Sequence, residues 1–197
     1  MFTGIIESLG RVIEVSGHGA NKTFWIESPL SSSFKVDQSI AHDGVCLTVE
    51  EVQQNRHRVT AVAETLNKTA LHQWTSGRDV NLEQSLLPSK RLDGHFVQGH
   101  VDATGVLKKS KDQNGSYELR FRFPKKFASL VIEKGSITVN GISLTLFGVK
   151  KASFKVAIIP YTWQHTNLQY LKEGDSVNLE FDMIGKYITR YLEQTKK

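Results

Sequence analysis

The chain has one cysteine, Cys46, and seven histidines. A single cysteine cannot form an internal disulfide. Its thiol is a nucleophile or proton carrier if it lines a pocket, and a small hydrophobe if it lies in a core. His100 stands five residues after His95. On a strand an odd spacing puts the two rings on opposite faces, which argues against a shared metal ion. His18, His57, His72 and His165 have no partner at ligand spacing and read as surface or loop residues. The sequence carries neither a Cys/His constellation with metal-ligand spacing nor a phosphate-cradling glycine loop, so no metal is expected. Asn21-Lys22-Thr23, Asn67-Lys68-Thr69 and Asn114-Gly115-Ser116 match the glycosylation pattern. The opening MFTGIIESLGRVIEV, however, lacks the basic and apolar regions of a secretory signal. No apolar run approaches the roughly 18 residues of a membrane span. The expectation is a cytoplasmic protein without a membrane segment.

The elements that must position these groups come in two copies. Residues 39–49, SIAHDGVCLTV, resemble residues 136–146, SITVNGISLTL, at an offset of 97. The same offset lays 58–83 over 155–180, where Val59/Val156, Thr65/Thr162, Thr69/Thr166, Leu71/Leu168, Gly77/Gly174 and all of VNLE are identical. Near the start the offset is 95, placing Gly4-Ile5-Ile6-Glu7 over Gly99-His100-Val101-Asp102. A fixed offset over dozens of positions marks an internal duplication. The 197 residues therefore divide into units of 1–97 and 98–186, with a tail at 187–197 whose helix starts near 183.

Each half reads as β. Segments 10–15, 45–52, 57–63 and 79–83 are short, rich in Val, Ile and Thr, and bounded by Gly, Asn, Asp or Ser. Residues 117–123, YELRFRF, alternate polar and apolar as a half-buried strand does. Short helices are expected at 66–73, with Thr65 as the N-cap, and at 163–171. About six strands in roughly 90 residues suggest a small closed barrel, which leaves no exposed edge. The fold class is all-β, two tandem barrels. In the tail, Ile184, Ile188 and Tyr191 form a helical stripe that packs either on a barrel or on tails of other subunits.

The net charge of +5 raises the question of nucleic acid. Residues 1–97 carry nine basic and eleven acidic side chains, and residues 98–197 carry sixteen and nine. The excess is scattered in the pairs Lys108-Lys109, Lys125-Lys126, Lys150-Lys151 and Lys196-Lys197, without interleaved aromatics. An oligonucleotide-binding barrel would cluster basic and aromatic side chains on one sheet, so no nucleic-acid partner is expected.

MFTGI at 1–5, GVCLTV at 44–49, GHFVQGHVD at 94–102, NGISLTL at 140–146 and DMIGKY at 182–187 together resemble the two-barrel riboflavin synthase family. The resemblance runs from Met1 into the tail. It implies two homologous six-stranded Greek-key barrels, called lumazine-binding repeats, with short helices and a C-terminal helix that assembles a homotrimer. It implies a reaction in which one 6,7-dimethyl-8-ribityllumazine donates a four-carbon unit to another. The products are riboflavin and 5-amino-6-ribitylamino-2,4-pyrimidinedione, and no cofactor is required. Two substrates meet between the N-terminal barrel of one subunit and the C-terminal barrel of the next. The resemblance also allows association with lumazine synthase.

By the family's pattern, the first pocket uses Gly4, Ile5, Ile6, Cys46, Leu47, Thr48, Thr60, Ala61, Val62, Ala63, Glu64 and Thr65. The second uses Gly99, His100, Val101, Ser143, Leu144, Thr145, Ile159, Pro160, Tyr161, Thr162, Trp163 and Gln164, and Lys134 is carried over as well. Hydroxyls and main-chain groups in an apolar pocket suit a flat, carbonyl-rich heterocycle. Glu64 is suited to ribityl hydroxyls; its repeat partner is Tyr161, so the two pockets are chemically unequal. Cys46, Ser39 and His100 are the candidates for nucleophile and proton transfer. The sequence departs from the family at Ala41-His42-Asp43-Gly44, where VNG is more usual. It departs again at Tyr161, where histidine is common, and in the bulk of Trp163. The alternative is a non-catalytic lumazine- or flavin-binding protein of the same fold. That reading predicts a damaged second-half motif, and here GHFVQGHVD and NGISLTL are intact.

Overall fold

The computed structural model describes residues 1–195; the Lys196-Lys197 pair, which ends the expected tail, lies outside the described residues. Two closed antiparallel barrels follow one another. The first comprises β1 (Ser8–His18), β2 (Asn21–Glu27), β3 (Ser39–His42), β4 (Val45–Gln53), β5 (Arg56–Ala61) and β6 (Asp79–Gln84), in the order β1-β2-β5-β4-β3-β6. The second comprises β7 (Ala103–Asp112), β8 (Tyr117–Arg122), β9 (Ser136–Val139), β10 (Ile142–Lys150), β11 (Ser153–Ile158) and β12 (Ser176–Phe181), in the corresponding order.

Period-two patterning builds both walls. Along β4, Val45, Leu47 and Val49 face the barrel interior while Cys46 and Thr48 face out. In β10, Ile142, Leu144 and Leu146 face in, and Ser143 and Thr145 face out. Leu47 and Leu144 therefore fill barrel cores, and only their main chains can serve a pocket on the outer wall. The β3–β4 and β9–β10 hairpins turn on Asp43-Gly44 and Asn140-Gly141, all four with positive φ, as a type I′ turn requires.

Two short helices, α1 (Ala63–Lys68) and α2 (Pro160–His165), each pass into a 3-10 turn. The expected single helix at 66–73 is corrected on two counts. It begins at Ala63 with Val62 as N-cap, so Thr65 lies inside it. It also breaks at Thr69, whose hydroxyl donates to the Thr65 carbonyl (2.7 Å) and accepts from the Leu71 amide (3.3 Å). The second helix breaks in the same way at Thr166, whose hydroxyl bonds the Thr162 carbonyl. Trp163, expected in the second pocket, stacks on Tyr117 at 4.0 Å against the core of the second barrel.

The barrels meet across an approximate two-fold axis through the two hairpin turns. A Cβ on Gly44 would lie 2.7 Å from the Gly141 amide nitrogen, and one on Gly141 would lie 2.7 Å from that of Gly44. Asn81 Nδ2 donates to the Asn140 carbonyl and Asn178 Nδ2 to the Asp43 carbonyl, each at 2.9 Å. The Asn81 amide bonds Asp43 Oδ1 and the Asn178 amide bonds Asn140 Oδ1, both at 2.8 Å. Asn167 breaks the symmetry by donating to Asp43 Oδ1 (2.8 Å). Asp43 Oδ2 has no hydrogen-bond partner among the described residues; Arg78 stands 3.8 Å away. Burial raises the Asp43 carboxyl from 3.8 to about 6 against the opposing pull of Arg78 and its hydrogen bonds.

The tail is α3 (Met183–Thr195), capped by Asp182 Oδ1 accepting from the Ile184 amide. Its stripe does not pack on a barrel: Ile184, Tyr187, Ile188, Tyr191 and Leu192 are all at least half exposed. Among the described residues no helix is long and apolar enough to cross a membrane.

Candidate functional site

The segments that precede the barrels cross over. Phe2 and Val97 form an isolated antiparallel bridge, and the His95 amide donates to the Thr3 carbonyl at 3.0 Å. From this bridge residues 1–5 run to the second barrel, where the Ser143 amide donates to the Gly4 carbonyl (2.8 Å). Residues 97–101 run to the first, where the Cys46 amide donates to the Gly99 carbonyl (2.8 Å). Ile6 packs on the second barrel's core and Val101 on the first's. The grouping expected from sequence is therefore corrected: Gly99, His100 and Val101 belong with Cys46, and Gly4, Ile5 and Ile6 belong with Ser143. The fit is tight. A Cβ on Gly99 would lie 2.7 Å from Cys46 Cβ, and one on Gly4 would lie 2.6 Å from Ser143 Cβ.

Cys46, Glu64, Thr65, Gly99, His100 and Val101 line one cleft of about 210 Å³ with Val45, Lys68 and Thr69. Two catalytic candidates, Cys46 and His100, thus share a cleft. Ser39 and Thr48 lie outside this lining, opposite each other in the β3–β4 register, on the outer face that Cys46 shares. Thr60 bonds Thr23 and Glu50 on the outer wall, and Ala61 points into the core. Val62 is exposed and Ala63 half-buried at the start of α1.

By the repeat offsets, the counterparts of this lining on the second barrel include Gly4, Ile5, Ser143, Tyr161, Thr162 and His165, while Ile159 and Pro160 stand at the start of α2. Where the first cleft has the Glu64–Lys68 ion pair (2.6 Å), this surface has Tyr161 stacked on His165 at 4.1 Å. Gln164 is exposed on α2 and Thr145 on β10. Lys134 is exposed in the loop before β9, its amide bonded to the Leu146 carbonyl.

Sequence reasoning missed Lys68, His95, Glu83 and Glu180. His95 Nδ1 lies 2.7 Å from Ser143 Oγ, and burial holds its pKa below the usual histidine range against the pull of Asp182. Glu83 and Glu180 accept hydrogen bonds from the amides of the two arms. Their signal was visible. Of the repeated VNLE only Val and Leu serve the barrel cores, which leaves Asn and Glu to be explained. His57 is also corrected: it is fully buried, with Nε2 2.8 Å from His42 Nε2 and Nδ1 2.8 Å from Ser31 Oγ.

A family model described as the lumazine binding domain matches twice, over residues 3–85 and 98–182. Riboflavin synthase of Mycobacterium tuberculosis is 40% identical over 200 residues, covering 98% of each chain. The Actinobacillus pleuropneumoniae enzyme is 39% identical over 98% of this chain and 90% of its own. That of Bacillus subtilis is 35% identical over 100% of this chain and 92% of its own. Among solved structures, LumP complexed with riboflavin superposes with a TM-score of 0.87 at 20% identity, covering 92% of this chain and 99% of that one. LumP complexed with 6,7-dimethyl-8-(1'-D-ribityl) lumazine gives 0.84 at 19%, with the same coverage. The solved structures speak for the fold alone; the sequence matches and the doubled domain carry the assignment. The chain belongs to the lumazine-binding domain family, with one copy of the domain in each barrel and riboflavin synthases as its full-length relatives.

Proposed function

We propose that the chain is a riboflavin synthase, a transferase that converts two 6,7-dimethyl-8-ribityllumazine molecules into riboflavin and 5-amino-6-ribitylamino-2,4-pyrimidinedione. One observation carries this reading. Each barrel has an outer wall bordered by the other repeat's arm, Cys46 against Gly99 in the first and Ser143 against Gly4 in the second. Apolar side chains near these walls are uncovered: Val62 before α1, and Ile5, Ile159 and Tyr161, are all 45% exposed or more. A reaction that consumes two copies of one molecule in opposed orientation needs two like pockets brought face to face. Its gain comes chiefly from orienting the pair.

In this reading the first pocket of one subunit faces the second pocket of the next. The uncovered stripe on α3 assembles a homotrimer that holds them there. The units 1–97 and 98–186 act as the two binding modules and 187–197 as the assembly segment. Main-chain groups beside Cys46 and Ser143 hold the heterocycles, and Glu64 accepts from ribityl hydroxyls. Cys46 adds to C7 of one lumazine or carries the proton leaving the C7 methyl of the other, with His100 in the same cleft and Ser39 on the same wall relaying protons. Ser143, at the repeat-related position, is the poorer nucleophile. The two bound molecules thus meet unequal chemistry, as donor and acceptor of a four-carbon unit must.

The test is incubation of the purified protein with 6,7-dimethyl-8-ribityllumazine while riboflavin absorbance is followed. One riboflavin per two lumazines consumed is expected. Tight binding without product would leave a ligand-binding protein of the same fold. Replacing Ile184 and Ile188 by Asp should give monomers at least about a hundredfold less active, because half of each site is lost. Fully active monomers would refute the shared site.

A further inference from the structure

Glu83 and Glu180 occupy the last position of the repeated VNLE, on β6 and β12, and are 3% and 2% exposed. Buried carboxylates are costly unless their oxygens are satisfied. Each is satisfied almost wholly by one arm. Glu83 Oε1 accepts from the Thr3 amide (2.6 Å) and the Thr3 hydroxyl (2.7 Å), and Oε2 accepts from the Gly4 amide (3.0 Å). Glu180 Oε1 accepts from the Gln98 amide (2.8 Å), and Oε2 from the Gly99 (2.9 Å) and His100 (3.0 Å) amides. Three successive amides turned toward one carboxylate form a nest, an arrangement that charge-assisted hydrogen bonds hold firmly.

The connectivity is crosswise. Glu180 stands on the second barrel, yet the arm it holds closes the first pocket, laying the Gly99 carbonyl on the Cys46 amide. Glu83 stands on the first barrel, yet its arm closes the second pocket, laying the Gly4 carbonyl on the Ser143 amide. We infer that Glu83 and Glu180 are positioning residues, each fixing the floor of the pocket on the opposite barrel. Neither acts on substrate directly. Glu180 acts through Gly99 and His100, and Glu83 through Gly4. The two barrels are therefore not independent binding modules: a substitution on β12 is felt at Cys46, in the other repeat.

The single cysteine gives a readout that needs no turnover. In Glu180→Ala the nest formed by the Gln98, Gly99 and His100 amides loses its acceptor, so the arm should lift from Cys46. Losing even one charge-assisted bond's worth of hold raises the open population, and with it the rate of Cys46 labelling by an aromatic disulfide reagent, by about tenfold. Glu83→Ala removes a carboxylate of the same size from the other arm, which reaches Cys46 only through Phe2 and its bridge to Val97, and should raise that rate by a clearly smaller factor. Repeating both measurements with Ile184 and Ile188 replaced by Asp removes subunit contacts as a cause. If Glu180→Ala does not fold, Glu180→Gln serves, since an amide turns a donor toward one of the three N–H groups; a smaller rise in the same direction is expected. Equal acceleration by the two substitutions, or none by either Glu180 variant, would overturn the inference. The consequence for turnover rests on the proposed reaction. The labelling contrast does not, so a chain that failed to make riboflavin would still answer the question.

Discussion

The two barrels share strand order and hairpin turns but differ in what they bury. In the first, Ser31, His57 and His42 form a buried polar chain that ends on the Ile40 carbonyl. At the offset of 97 the second barrel has Ala128, Phe154 and Val139. The carbonyl can only accept, so His42 Nδ1 carries a proton. His42 Nε2 then accepts from His57 Nε2, and the Ser31 hydroxyl donates to His57 Nδ1. The chain closes with both rings neutral, and burial lowers both histidines, His57 to about 4. At the interface Asp43 faces Asn140, and in the pockets Cys46 and the Glu64–Lys68 pair stand against Ser143 and the Tyr161–His165 stack. The wall tolerates such exchanges wherever the new group finds partners. It shows a cost at Asp43, where one oxygen finds no hydrogen bond among the described residues and only Arg78 at 3.8 Å.

Removing these differences one at a time tests what each does. The largest effect is expected from Cys46→Ser, which gives the first pocket the hydroxyl that the second has at this position. Turnover should fall about a hundredfold while lumazine affinity changes little, measured by steady-state rate against fluorescence titration. An unchanged rate would make Cys46 a packing residue.

Asp43→Asn gives the two hairpin turns the same residue pair, Asn-Gly. A carboxyl raised from 3.8 to about 6 is destabilising in its charged form by roughly 3 kcal/mol. The folded state holds this proton more tightly than the unfolded chain, so the cost is absent below pH 4 and complete above pH 6. Asp43→Asn should therefore raise the melting temperature at pH 7 and lose that advantage as the pH falls to 4. A gain that persisted at pH 4 would locate the effect elsewhere.

The histidine chain titrates with the opposite sign. Its folded pKa values lie below the unfolded value of 6.5, so its stability is complete above pH 6.5 and is lost as the pH falls toward 4. Replacing Ser31, His42 and His57 together by Ala, Val and Phe should flatten the melting curve between pH 6.5 and 4. His57→Phe alone leaves His42 Nε2 without a donor and should cost about 1–3 kcal/mol at pH 7. A triple variant that kept the wild-type acid slope would clear the histidines.

Much of this could be read from residues alone, because duplication and alternation are properties of the chain in order. The offset of 97 located the two barrels, and YELRFRF announced β8 by its period of two. The pairing of arms with pockets was not legible. A repeat offset says that Gly4 matches Gly99 and Cys46 matches Ser143, but not which member of one pair meets which member of the other. The interface network escaped for a similar reason. Asn81 and Asn178 are polar residues whose partners belong to the opposite half, 59 and 135 positions away. His57 looked like a loop residue because its partner, His42, is 15 positions off on a non-consecutive strand.

The contact of Gly44 with Gly141 leaves no slack between the barrels. Backbone lies on backbone there, and the surrounding amides are cross-bonded. The two barrels of a chain are therefore joined as a single stiff strut. On the proposed trimer, bending at the middle would break these contacts, so opening for substrate is expected from subunits parting or from the arms lifting.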